Sequence, residues 1–392
     1  MRNHTVRILH IQKVAGIAGS ENHLLSLLPC LQEYGFEPTM LVLADRNDRP
    51  GPFLERMRAA GITTILMPIM GDVDPLLLPR LGRFIRQGDY DIVHTHLFHA
   101  DLYGGLAARL TGVRLVISTR HNDDAFRRRY LLRGLIAWSA RYCDQIICIS
   151  ENVRRFCETT EGIPREKMTV VHYGLAPVAI SGNRGWRCDF GWGDDVPVVG
   201  IVARLIAQKG HTTLLRAMPE VVQQFCTAQL VVVGDGELRR ELQGCAQQLG
   251  IEPHVQFLGY RDNAAAMMPG FDVFVHPSRW EGFGLVFLEA MAASLPIIAT
   301  QQGSIPEIVQ HGETGLLVPV DDVRALAHAV CILLADRHLA QNMGWVGRRR
   351  LEEHFTLAAM VERTCAVYAR LLSEKRSLVR AVRKSNVQTP LA

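Results

Sequence analysis

A chain of 392 residues is too long for one ordinary hydrophobic core and sufficient for two of roughly 150–200 residues each. With 48% hydrophobic and 21% charged residues, its composition is that of a packed, soluble protein. The formal charge of +4, set against 43 basic and 39 acidic residues, gives no argument for nucleic-acid binding.

The first half of the chain alternates short apolar, β-rich runs with longer amphipathic stretches. The predicted strands are Arg7–Gln12, Pro38–Leu43, Thr64–Met67, Ile92–Thr95, Leu115–Ser118, Gln145–Ile149 and Met168–Val171. Between the first two, the stretch Glu21–Glu33 carries leucines on one broad face and is predicted to be a helix. This alternation indicates βαβ units, and therefore a parallel sheet with helices on both faces.

The alternation stops between Ala176 and Asp195, where glycine, proline and serine are frequent, and we predict a linker over 179–195. The later predicted strands are Val196–Ala203, Ala228–Val233, His254–Leu258, Val273–His276, Pro296–Thr300 and Gly315–Val318. We therefore predict two doubly wound α/β domains, 1–178 and 196–366, and a C-terminal helix over 367–392 that packs back onto the first. Ligands bind beyond the carboxyl ends of such strands, and we expect the two sets of ends to face each other across a central cleft.

The segment from His276 to Ala292 combines a strand end, a loop with Gly282 and Gly284, and the start of a helix. Glycines ahead of a helix let backbone N–H groups approach an anion, which the helix dipole also favours. Glu281 lies in this loop and Glu289 in the helix. A carboxylate suits a diol, because it accepts two hydrogen bonds. The segment thus predicts an anion at the loop with diols on either side; the alternative is two solvated surface acids.

A site for a diphosphate also needs fixed cations, because negative charge develops as the leaving group departs. Arg204 follows a predicted strand, and Lys209 stands beside Gly210 just before a helical pattern. Arginine can grip an oxyanion with two N–H groups, and lysine acts as a point charge. Two cations at one strand end therefore favour an anion site over two unrelated surface charges.

These residues belong to an ordered set that resembles the retaining GT-B glycosyltransferases of family 4. The set comprises Arg204, Lys209-Gly210, Val233-Gly-Asp-Gly-Glu237, Phe257-Leu-Gly259, Glu281-Gly-Phe-Gly-Leu, Glu289-Ala, Pro296, Gly303, Pro306-Glu307-Ile, Gly312, Thr314-Gly315 and Asp321. The resemblance implies that Glu281 contacts the donor sugar and Glu289 the ribose, while Arg204 and Lys209 hold the diphosphate. It further implies that the backbone at Phe283, Gly284, Leu285 and Val286 completes the cradle and that Tyr260 lies near the base.

The first half matches the same family less tightly. Gly16 and Gly19 follow the first predicted strand, like the family's glycine-rich loop near the diphosphate and acceptor. His96 ends a strand, as do His121 and Asn122, and the three are assigned to the acceptor side; His121 matches an active-site histidine near the sugar. His94, His96 and His99 also have metal-like spacing, but a role in lining the cleft is preferred, and we predict no metal.

We therefore predict a retaining hexosyltransferase that needs no cofactor and moves a sugar from a nucleoside-diphosphate donor to an acceptor hydroxyl, in polysaccharide, glycolipid or glycoconjugate synthesis. One alternative is a nucleotide-sugar epimerase of the same architecture, and another is a non-catalytic nucleotide-sugar-binding protein. A dinucleotide oxidoreductase is disfavoured, because Arg239 stands where the third glycine of the fingerprint after Gly234 and Gly236 would be.

Location in the cell is suggested by three features. The nine scattered cysteines form no C-x-x-C pair, and no apolar run is long enough for a signal peptide or a spanning helix. We expect a cytoplasmic protein. The basic, aromatic helix predicted over Arg127–Arg141 could lie on an anionic surface at the inner face of the plasma membrane, the alternative being a core-packed helix with a solvated basic face.

Overall fold

A computed structural model describes residues 5–123, 130–176 and 184–387. The chain divides into two compact units. The first contains Met1–Tyr173 together with Leu357–Ala392, and the second is the continuous segment Gly174–Thr356. Each unit is built around one parallel sheet.

The first unit contains a seven-stranded sheet of order β3-β2-β1-β4-β5-β6-β7. Its strands are β1 Val6–Lys13, β2 Phe36–Ala44, β3 Thr63–Pro68, β4 Ile92–His96, β5 Leu115–Arg120, β6 Gln145–Cys148 and β7 Met168–Val170. Its helices up to β7 are α1 Gly19–Glu33, α2 Gly51–Ala59, α3 Leu77–Gly88, α4 Leu97–His99, α5 Gly105–Leu110, α6 Tyr130–Ala140 and α7 Glu151–Glu161. A π-helical turn, Ala100–Gly104, joins α4 to α5. The strands β4, β5 and β6 are buried along their whole length, as expected for parallel strands covered on both faces.

The second unit contains a six-stranded parallel sheet of order β10-β9-β8-β11-β12-β13. Its strands are β8 Val198–Val202, β9 Gln229–Val233, β10 Val255–Gly259, β11 Val273–His276, β12 Ile297–Thr300 and β13 Gly315–Val318. Its helices are α8 His211–Gln224, α9 Arg239–Gln248, α10 Leu285–Ala292, α11 Ile305–Ile308, α12 Val323–Ala335 and α13 Arg337–His354. Val199, Leu230 and Val275 lie at the centre of its core, packed with residues of α8 and α12.

The last helix, α14, runs from Leu357 to Val387 and belongs to the first unit. Tyr368 of this helix is fully buried, and its hydroxyl lies 2.6 Å from Nδ1 of His94 in β4. Arg370 donates a hydrogen bond to the side-chain oxygen of Gln145 in β6. The helix therefore completes the packing of the first sheet, and it begins well before the predicted start at residue 367.

The predicted linker, 179–195, includes residues that the structure shows to be part of the second unit. Residues Gly185–Phe190 form a 3₁₀ helix that packs on the second unit. Arg187 is 1% exposed and donates to the Gly270 carbonyl at 2.7 Å and to the Asp272 carboxylate at 2.7 Å. The frequent glycines gave this segment the composition of a linker, but Trp186 and Arg187 fix it in place by packing and hydrogen bonding. Within the described ranges, no helix is both long and apolar enough to span a membrane.

Candidate functional site

The order of strands reverses at one point in the second sheet, between β8 and β11. β9 and β10 lie on one side of β8, whereas β11, β12 and β13 lie on the other. Ligands of doubly wound sheets bind beyond the carboxyl ends of the strands at such a point. The loop after β8 carries Arg204 and Lys209, and the loop after β11 carries Glu281. The structure thus brings three predicted residues to the position where the topology favours a ligand.

The two loops contact each other directly. The backbone N–H of Arg279 donates to the Gln208 carbonyl at 2.8 Å, and the side-chain amide of Gln208 donates to the Trp280 carbonyl at 2.8 Å. Gly210 has a φ of +69°, and a Cβ on it would lie 2.0 Å from the Pro277 carbonyl oxygen. Only glycine combines this left-handed backbone with so close an approach. The position of Lys209 relative to Glu281 is therefore set by backbone contacts.

Glu281 is held by three donors on one carboxylate oxygen. Its Oε1 accepts from Lys209 Nζ at 2.6 Å, Ser278 Oγ at 2.8 Å and His276 Nε2 at 3.0 Å. Burial alone would raise the pKa of Glu281, but Lys209 and His276 together lower it to about 2. Glu281 is thus a fixed anion at neutral pH. Among the described residues none donates to its second oxygen, Oε2, which leaves that oxygen to accept from a ligand.

The backbone of the loop between β11 and α10 is held by Ser304. The Ser304 hydroxyl lies 3.0 Å from the Glu281 carbonyl and 3.3 Å from the Phe283 carbonyl. Gly284 then adopts a φ of +94° and ends the loop, and α10 begins at Leu285. In the first turn of α10 the Phe287 N–H donates to the Gly284 carbonyl at 3.0 Å, so the N–H groups of Leu285 and Val286 are the donors that an anion at this loop would meet.

Glu289 and Arg204 differ from the Lys209–Glu281 pair because they carry no internal partner. Within the described parts of the chain, the Glu289 carboxylate makes no hydrogen bond or ion pair, and burial raises its pKa. Arg204 is exposed, and its guanidinium likewise has no partner there. A carboxylate and a cation without partners of their own are suited to ligand hydroxyls and to a ligand anion, respectively.

The remaining residues predicted for this side occupy distinct places. Phe283 is 2% exposed and packs edge-on against Phe355, so its side chain is not available to a ligand. Leu285 and Val286 are half-buried in the first turn of α10. Tyr260 is 69% exposed just beyond β10, and its hydroxyl donates to Asp262 at 3.2 Å. Its ring is therefore accessible to a ligand, as a contact with a base requires.

In the first unit, Gly16 lies in the loop between β1 and α1, Gly19 is the first residue of α1, and both are exposed. Neither is crowded, since a Cβ on either would meet no atom within 4 Å. The loop is closed by Glu21, whose Oε2 accepts from the Ala18 N–H at 3.0 Å and whose Oε1 accepts from the Gln12 amide at 2.5 Å. This glutamate therefore fixes the start of α1 and the end of β1 together.

The histidines that the sequence analysis expected to line the cleft are buried in the first unit. His94 and His96 are 1% and 0% exposed, and His121 is 8% exposed. The parallel register of β1 and β4 pairs His10 with His94 and Gln12 with His96 on adjacent strands. Central strands of this sheet are covered on both faces, so side chains near their ends are enclosed rather than exposed. Asn122, just beyond β5, is half-buried.

His121 makes two side-chain hydrogen bonds within the unit. Its Nε2 lies 3.0 Å from His96 Nδ1, and its Nδ1 is hydrogen-bonded to the Tyr173 hydroxyl. A ligand can contact a ring nitrogen of His121 only if one of these bonds opens. The spacing of His94, His96 and His99 does not form a cluster either, because His99 bonds Asp72 at 3.0 Å, and the third histidine beside His94 and His96 is His10.

Several residues of these sites were not predicted from the sequence. His276 at the end of β11 and Ser278 in the loop after it hold Glu281, and their closeness to Glu281 in the sequence was the signal that could have found them. Tyr173 bonds His121 and His10 bonds His96 from distant parts of the chain, and no local pattern in the sequence marks either residue.

The fold defines a class of protein: an α/β protein of two doubly wound units, with a candidate ligand site at the switch point of the second sheet. A sequence profile described as "Glycosyl transferases group 1" matches residues 196–336, and one described as "Glycosyltransferase Family 4" matches residues 17–177. The chain is 33% identical over 306 residues to the GDP-mannose-dependent alpha-(1-6)-phosphatidylinositol monomannoside mannosyltransferase of Mycolicibacterium smegmatis, covering 73% of this chain and 77% of that relative. The chain therefore belongs to glycosyltransferase family 4.

Solved structures agree on the fold. Anabaena HepE in complex with UDP and glucose has a TM-score of 0.82 at 20% identity, over 93% of this chain and 100% of HepE. The sucrose-phosphate synthase of Thermosynechococcus elongatus has a TM-score of 0.79 at 23% identity, over 94% of this chain and 100% of that protein. The predicted GT-B fold is confirmed.

Proposed function

We propose that this protein is a retaining hexosyltransferase that transfers a sugar from a nucleoside-diphosphate donor to an acceptor hydroxyl. The observation that carries the proposal is the contrast within the second-unit site. Glu281 is fixed by three donors, whereas Arg204 and Glu289 have no side-chain partner among the residues that the structure describes. A nucleotide sugar has hydroxyls at both ends and a diphosphate between them, which matches two carboxylates around an anion site.

The relatives support a donor of this kind. The mycobacterial relative is named as GDP-mannose-dependent, and HepE has been solved with UDP and glucose. An Escherichia coli relative, 24% identical over 94% of this chain and 98% of its own length, is named as a UDP-Gal-dependent galactosyltransferase that acts on a diphosphoundecaprenol-linked sugar. Because these names differ in base and in sugar, we assign to this chain the shared nucleoside diphosphate and leave its sugar open.

The proposed mechanism assigns one task to each residue. Glu281 accepts hydrogen bonds from donor-sugar hydroxyls through Oε2, and Glu289 accepts them from the ribose. Arg204, Lys209 and the N–H groups at the start of α10 stabilise the negative charge that develops on the departing diphosphate. The oxygen of that leaving phosphate accepts the proton of the acceptor hydroxyl, on the same face of the sugar, which retains the anomeric configuration. Fixed cations supply the charge stabilisation, so the mechanism requires no metal ion.

Lys209 has two tasks in this mechanism. It lies 2.6 Å from Glu281 Oε1, so part of its charge is compensated within the protein. Arg204, which has no internal partner in the described chain, is therefore the stronger attraction for an incoming diphosphate. We expect Arg204→Ala to weaken binding of the nucleoside diphosphate itself, whereas a change at Lys209 also disturbs the sugar contact through Glu281.

The first unit is proposed to serve the acceptor. Gly16, in the loop after β1, and Gly19, at the start of α1, are uncrowded and exposed, and Asn122 and His121 lie beyond β5. Because the His121 ring nitrogens are engaged inside the unit, we propose a role for His121 in orienting the substrate rather than in proton transfer. His121→Ala should keep donor binding while losing transfer; unchanged turnover would remove His121 from the mechanism.

A membrane-bound acceptor is proposed from the described part of the basic helix. In α6, Leu135 is 43% exposed and Trp138 is 38% exposed, with Arg133 and Arg141 exposed beside them. Residues Arg127–Arg129 of the predicted helix lie outside the described residues. Exposed apolar side chains flanked by arginines are suited to the interface of an anionic bilayer. We propose that this surface brings the enzyme to a lipid-linked acceptor at a cytoplasmic membrane face.

The test of the proposed function has two steps. Thermal stabilisation is first measured with GDP, UDP and a panel of their sugar conjugates, since a ligand that binds the native state raises its stability. The donor that stabilises most is then incubated alone and with glycolipid acceptors, with and without EDTA. Transfer only with acceptor, unchanged by EDTA, supports the proposal. An epimer from donor alone would identify an epimerase instead, and binding without either product would identify a non-catalytic binding protein.

A further inference from the structure

The buried histidines of the first unit form a continuous hydrogen-bonded chain. His10 Nδ1 lies 3.0 Å from His96 Nε2, and His96 Nδ1 lies 3.0 Å from His121 Nε2. His121 Nδ1 is hydrogen-bonded to the hydroxyl of Tyr173. In the described residues, the far nitrogen of the chain, His10 Nε2, is buried without a partner. The series therefore begins at the Tyr173 hydroxyl and ends at His10 Nε2, which is unpaired among the described residues.

Each internal histidine of this chain must be a donor at one nitrogen and an acceptor at the other. A neutral imidazole carries one N–H and one bare nitrogen, and His96 and His121 use both nitrogens within the chain. These rings are neutral, because burial lowers the pKa of both well below the usual range, with neighbouring histidines contributing. All hydrogen bonds of the series must then run from donor to acceptor in the same direction. The direction of the bond at one end therefore fixes the tautomer of every histidine.

The phenol at Tyr173 decides the direction. An imidazole nitrogen is a better acceptor than a phenol oxygen, and a phenol O–H is a stronger acid than a neutral imidazole N–H. The favoured bond is therefore Tyr173 O–H to His121 Nδ1. His121 then carries its proton on Nε2 and donates it to His96 Nδ1; His96 carries its proton on Nε2 and donates to His10 Nδ1.

We propose that Tyr173, His121, His96 and His10 form a one-way hydrogen-bonded relay in which Tyr173 fixes the tautomer of all three histidines. Tyr173, His96 and His10 are thereby positioning residues for His121. The relay itself does not depend on the proposed function; only its significance for sugar transfer does. Any ligand group that bonds the His121 N–H must first take it from His96, so binding there changes the hydrogen bonding as far as His10.

A neighbouring contact follows the same pattern without joining the chain. The Tyr368 hydroxyl lies 2.6 Å from His94 Nδ1, and His94 Nε2 lies 2.7 Å from Thr119 Oγ1. The His94 ring packs against those of His10 and His96, with centroids 5.0 and 4.4 Å away, but exchanges no hydrogen bond with them. Tyr368 and His94 therefore provide a matched control inside the same core.

The same nitrogens invite a second interpretation, a metal ion bound by His10, His94 and His96, whose ligand atoms lie within 4.8 Å of one another. The contacts favour the relay. His10 and His96 are at hydrogen-bonding distance, and both nitrogens of His94 face hydroxyl groups. A zinc ion would need bare nitrogens about 2.0–2.1 Å from it, which would break the chain.

The experiment is nitrogen NMR on the full-length protein with isotope-labelled histidine at pH 7.5, where ring nitrogens with and without a proton are well resolved. Resonances are assigned by single-histidine substitutions. We expect His10, His96 and His121 all to carry the proton on Nε2 in the wild type. Tyr173→Phe removes the phenol while keeping the ring, so both directions of the chain become similar in energy, and all three histidines should shift together toward a mixture. Tyr368→Phe should change His94 alone.

A break in the chain makes the test specific. His96→Met cannot pass a hydrogen bond on, so adding Tyr173→Phe to it should alter His121 and leave His10 unchanged. Unlike tautomers among the three wild-type histidines, or a response to Tyr173→Phe confined to His121, would overturn the relay. So would loss of the Nε2 proton signals on adding one equivalent of Zn²⁺, which would establish the metal site. None of these measurements requires turnover. They therefore test the relay even if the protein transfers no sugar in the transfer assay.

Discussion

Glu281 and Glu289 belong to one loop–helix segment, yet their carboxylates have opposite electrostatic surroundings. Lys209 and His276 outweigh burial and lower the pKa of Glu281, whereas burial without a partner raises the pKa of Glu289. Glu281 is an anion that the fold has already paired, whereas the Glu289 carboxylate has no partner among the described residues. If Glu289 binds a ligand hydroxyl as proposed, its ionisation should respond to binding.

Glu289→Gln tests the second of these groups. Each hydrogen bond from a ligand hydroxyl to a charged carboxylate contributes roughly 1.5–3 kcal/mol, so we expect donor affinity to fall about tenfold or more. Affinity for wild-type protein should also decline as the pH falls through the raised pKa of Glu289, because the protonated acid loses an acceptor. Calorimetric titration at several pH values measures both. Glu241→Gln, an exposed helical glutamate, is the control; equal losses in the two variants would contradict the assignment.

Lys209→Met tests the first group. The side chains of Lys209 and Glu281 are 15% and 8% exposed, and removing one partner of such a pair costs about 3 kcal/mol or more. The pKa of Glu281 is about 2 in the native protein against a usual value of 4.5, so its contribution to stability is present above pH 4.5 and is lost as the pH falls toward 2. In the variant this acid-dependent loss should shrink, because the pKa of Glu281 rises.

The measurement for Lys209→Met uses the distribution of tryptophans. Four of the five tryptophans, Trp186, Trp192, Trp280 and Trp345, lie in the second unit, so intrinsic fluorescence in urea mainly follows that unit. Lys209→Arg keeps the charge and should retain most of the stability. Identical unfolding midpoints for wild type and Lys209→Met at pH 7 would show that the ion pair contributes little.

At the scale of elements, a buried ionic cluster joins the π-helical turn to β5. Arg120 forms an ion pair with Asp101, which also accepts from Thr95 Oγ1 and Ser118 Oγ at 2.6 Å each. The side chains of Arg120 and Asp101 are 4% and 2% exposed. π-helical turns occur often at functional sites, and this one places Asp101 under the end of the central strands.

Asp101→Asn removes the carboxylate that is bonded to Arg120 and leaves only Glu161, 3.8 Å away, to balance this buried cation, and we expect the first unit to lose about 3 kcal/mol of stability. Trp138, the remaining tryptophan, reports on this unit. The control is Glu374→Gln, which breaks the exposed Arg370–Glu374 pair of α14 and should cost less than about 1 kcal/mol. If Asp101→Asn were as stable as Glu374→Gln, the charge of Asp101 would contribute little, and a neutral hydrogen bond from asparagine could replace it.

The exposed surface of α6 makes a second prediction at this scale. Leu135→Asp places a charge where the proposed surface would enter a bilayer, and we expect at least about a tenfold loss of binding to anionic vesicles, because one buried leucine contributes roughly 1.5–3 kcal/mol. Leu110→Asp in α5, at a position 66% exposed, is the control and should bind as wild type does. Co-sedimentation with anionic and neutral vesicles gives both values. Equal loss in the two variants would remove α6 as the contact.

How far the sequence could predict these elements depends on whether the signal was local. The strand Val273–His276 and the glycine turn before α10 were read from short patterns and are confirmed. The relay could not be predicted, because His10 and His96 are 86 residues apart and meet only through the β1–β4 register. The segment around Arg187 was assigned to a linker because composition carries no information about a partner such as Asp272, 85 residues away.

At the scale of the whole molecule, buried histidines should set its acid sensitivity. Burial lowers the pKa of His10 and His23 to about 3 and that of His94, His96 and His121 well below 6.5. These groups are neutral when folded but bind protons when unfolded below pH 6.5. Their contribution is therefore intact above pH 6.5 and is lost as the pH falls, by up to about 1.4 kcal/mol per pH unit for each histidine.

We expect the first unit to unfold at progressively lower temperature as the pH is reduced from 7.5 to 5, before the second unit responds to the same extent. The second unit buries fewer such groups, with His211 lowered to about 4 and His276 lowered against its contact with Glu281. Calorimetry at several pH values, with Trp138 to identify the first unit, measures this. A first-unit transition temperature that stays constant down to pH 5 would contradict neutral buried histidines.

The division of the chain has a consequence for its synthesis on the ribosome. The second unit is one uninterrupted segment, but the first is complete only when α14 supplies Tyr368 to the core around His94. A nascent chain therefore holds an unfinished first unit while the second is translated and can fold. The first unit is therefore synthesised first but completes its core last. Premature termination near residue 356 should leave a folded second unit attached to a first unit that lacks α14 and is prone to aggregate.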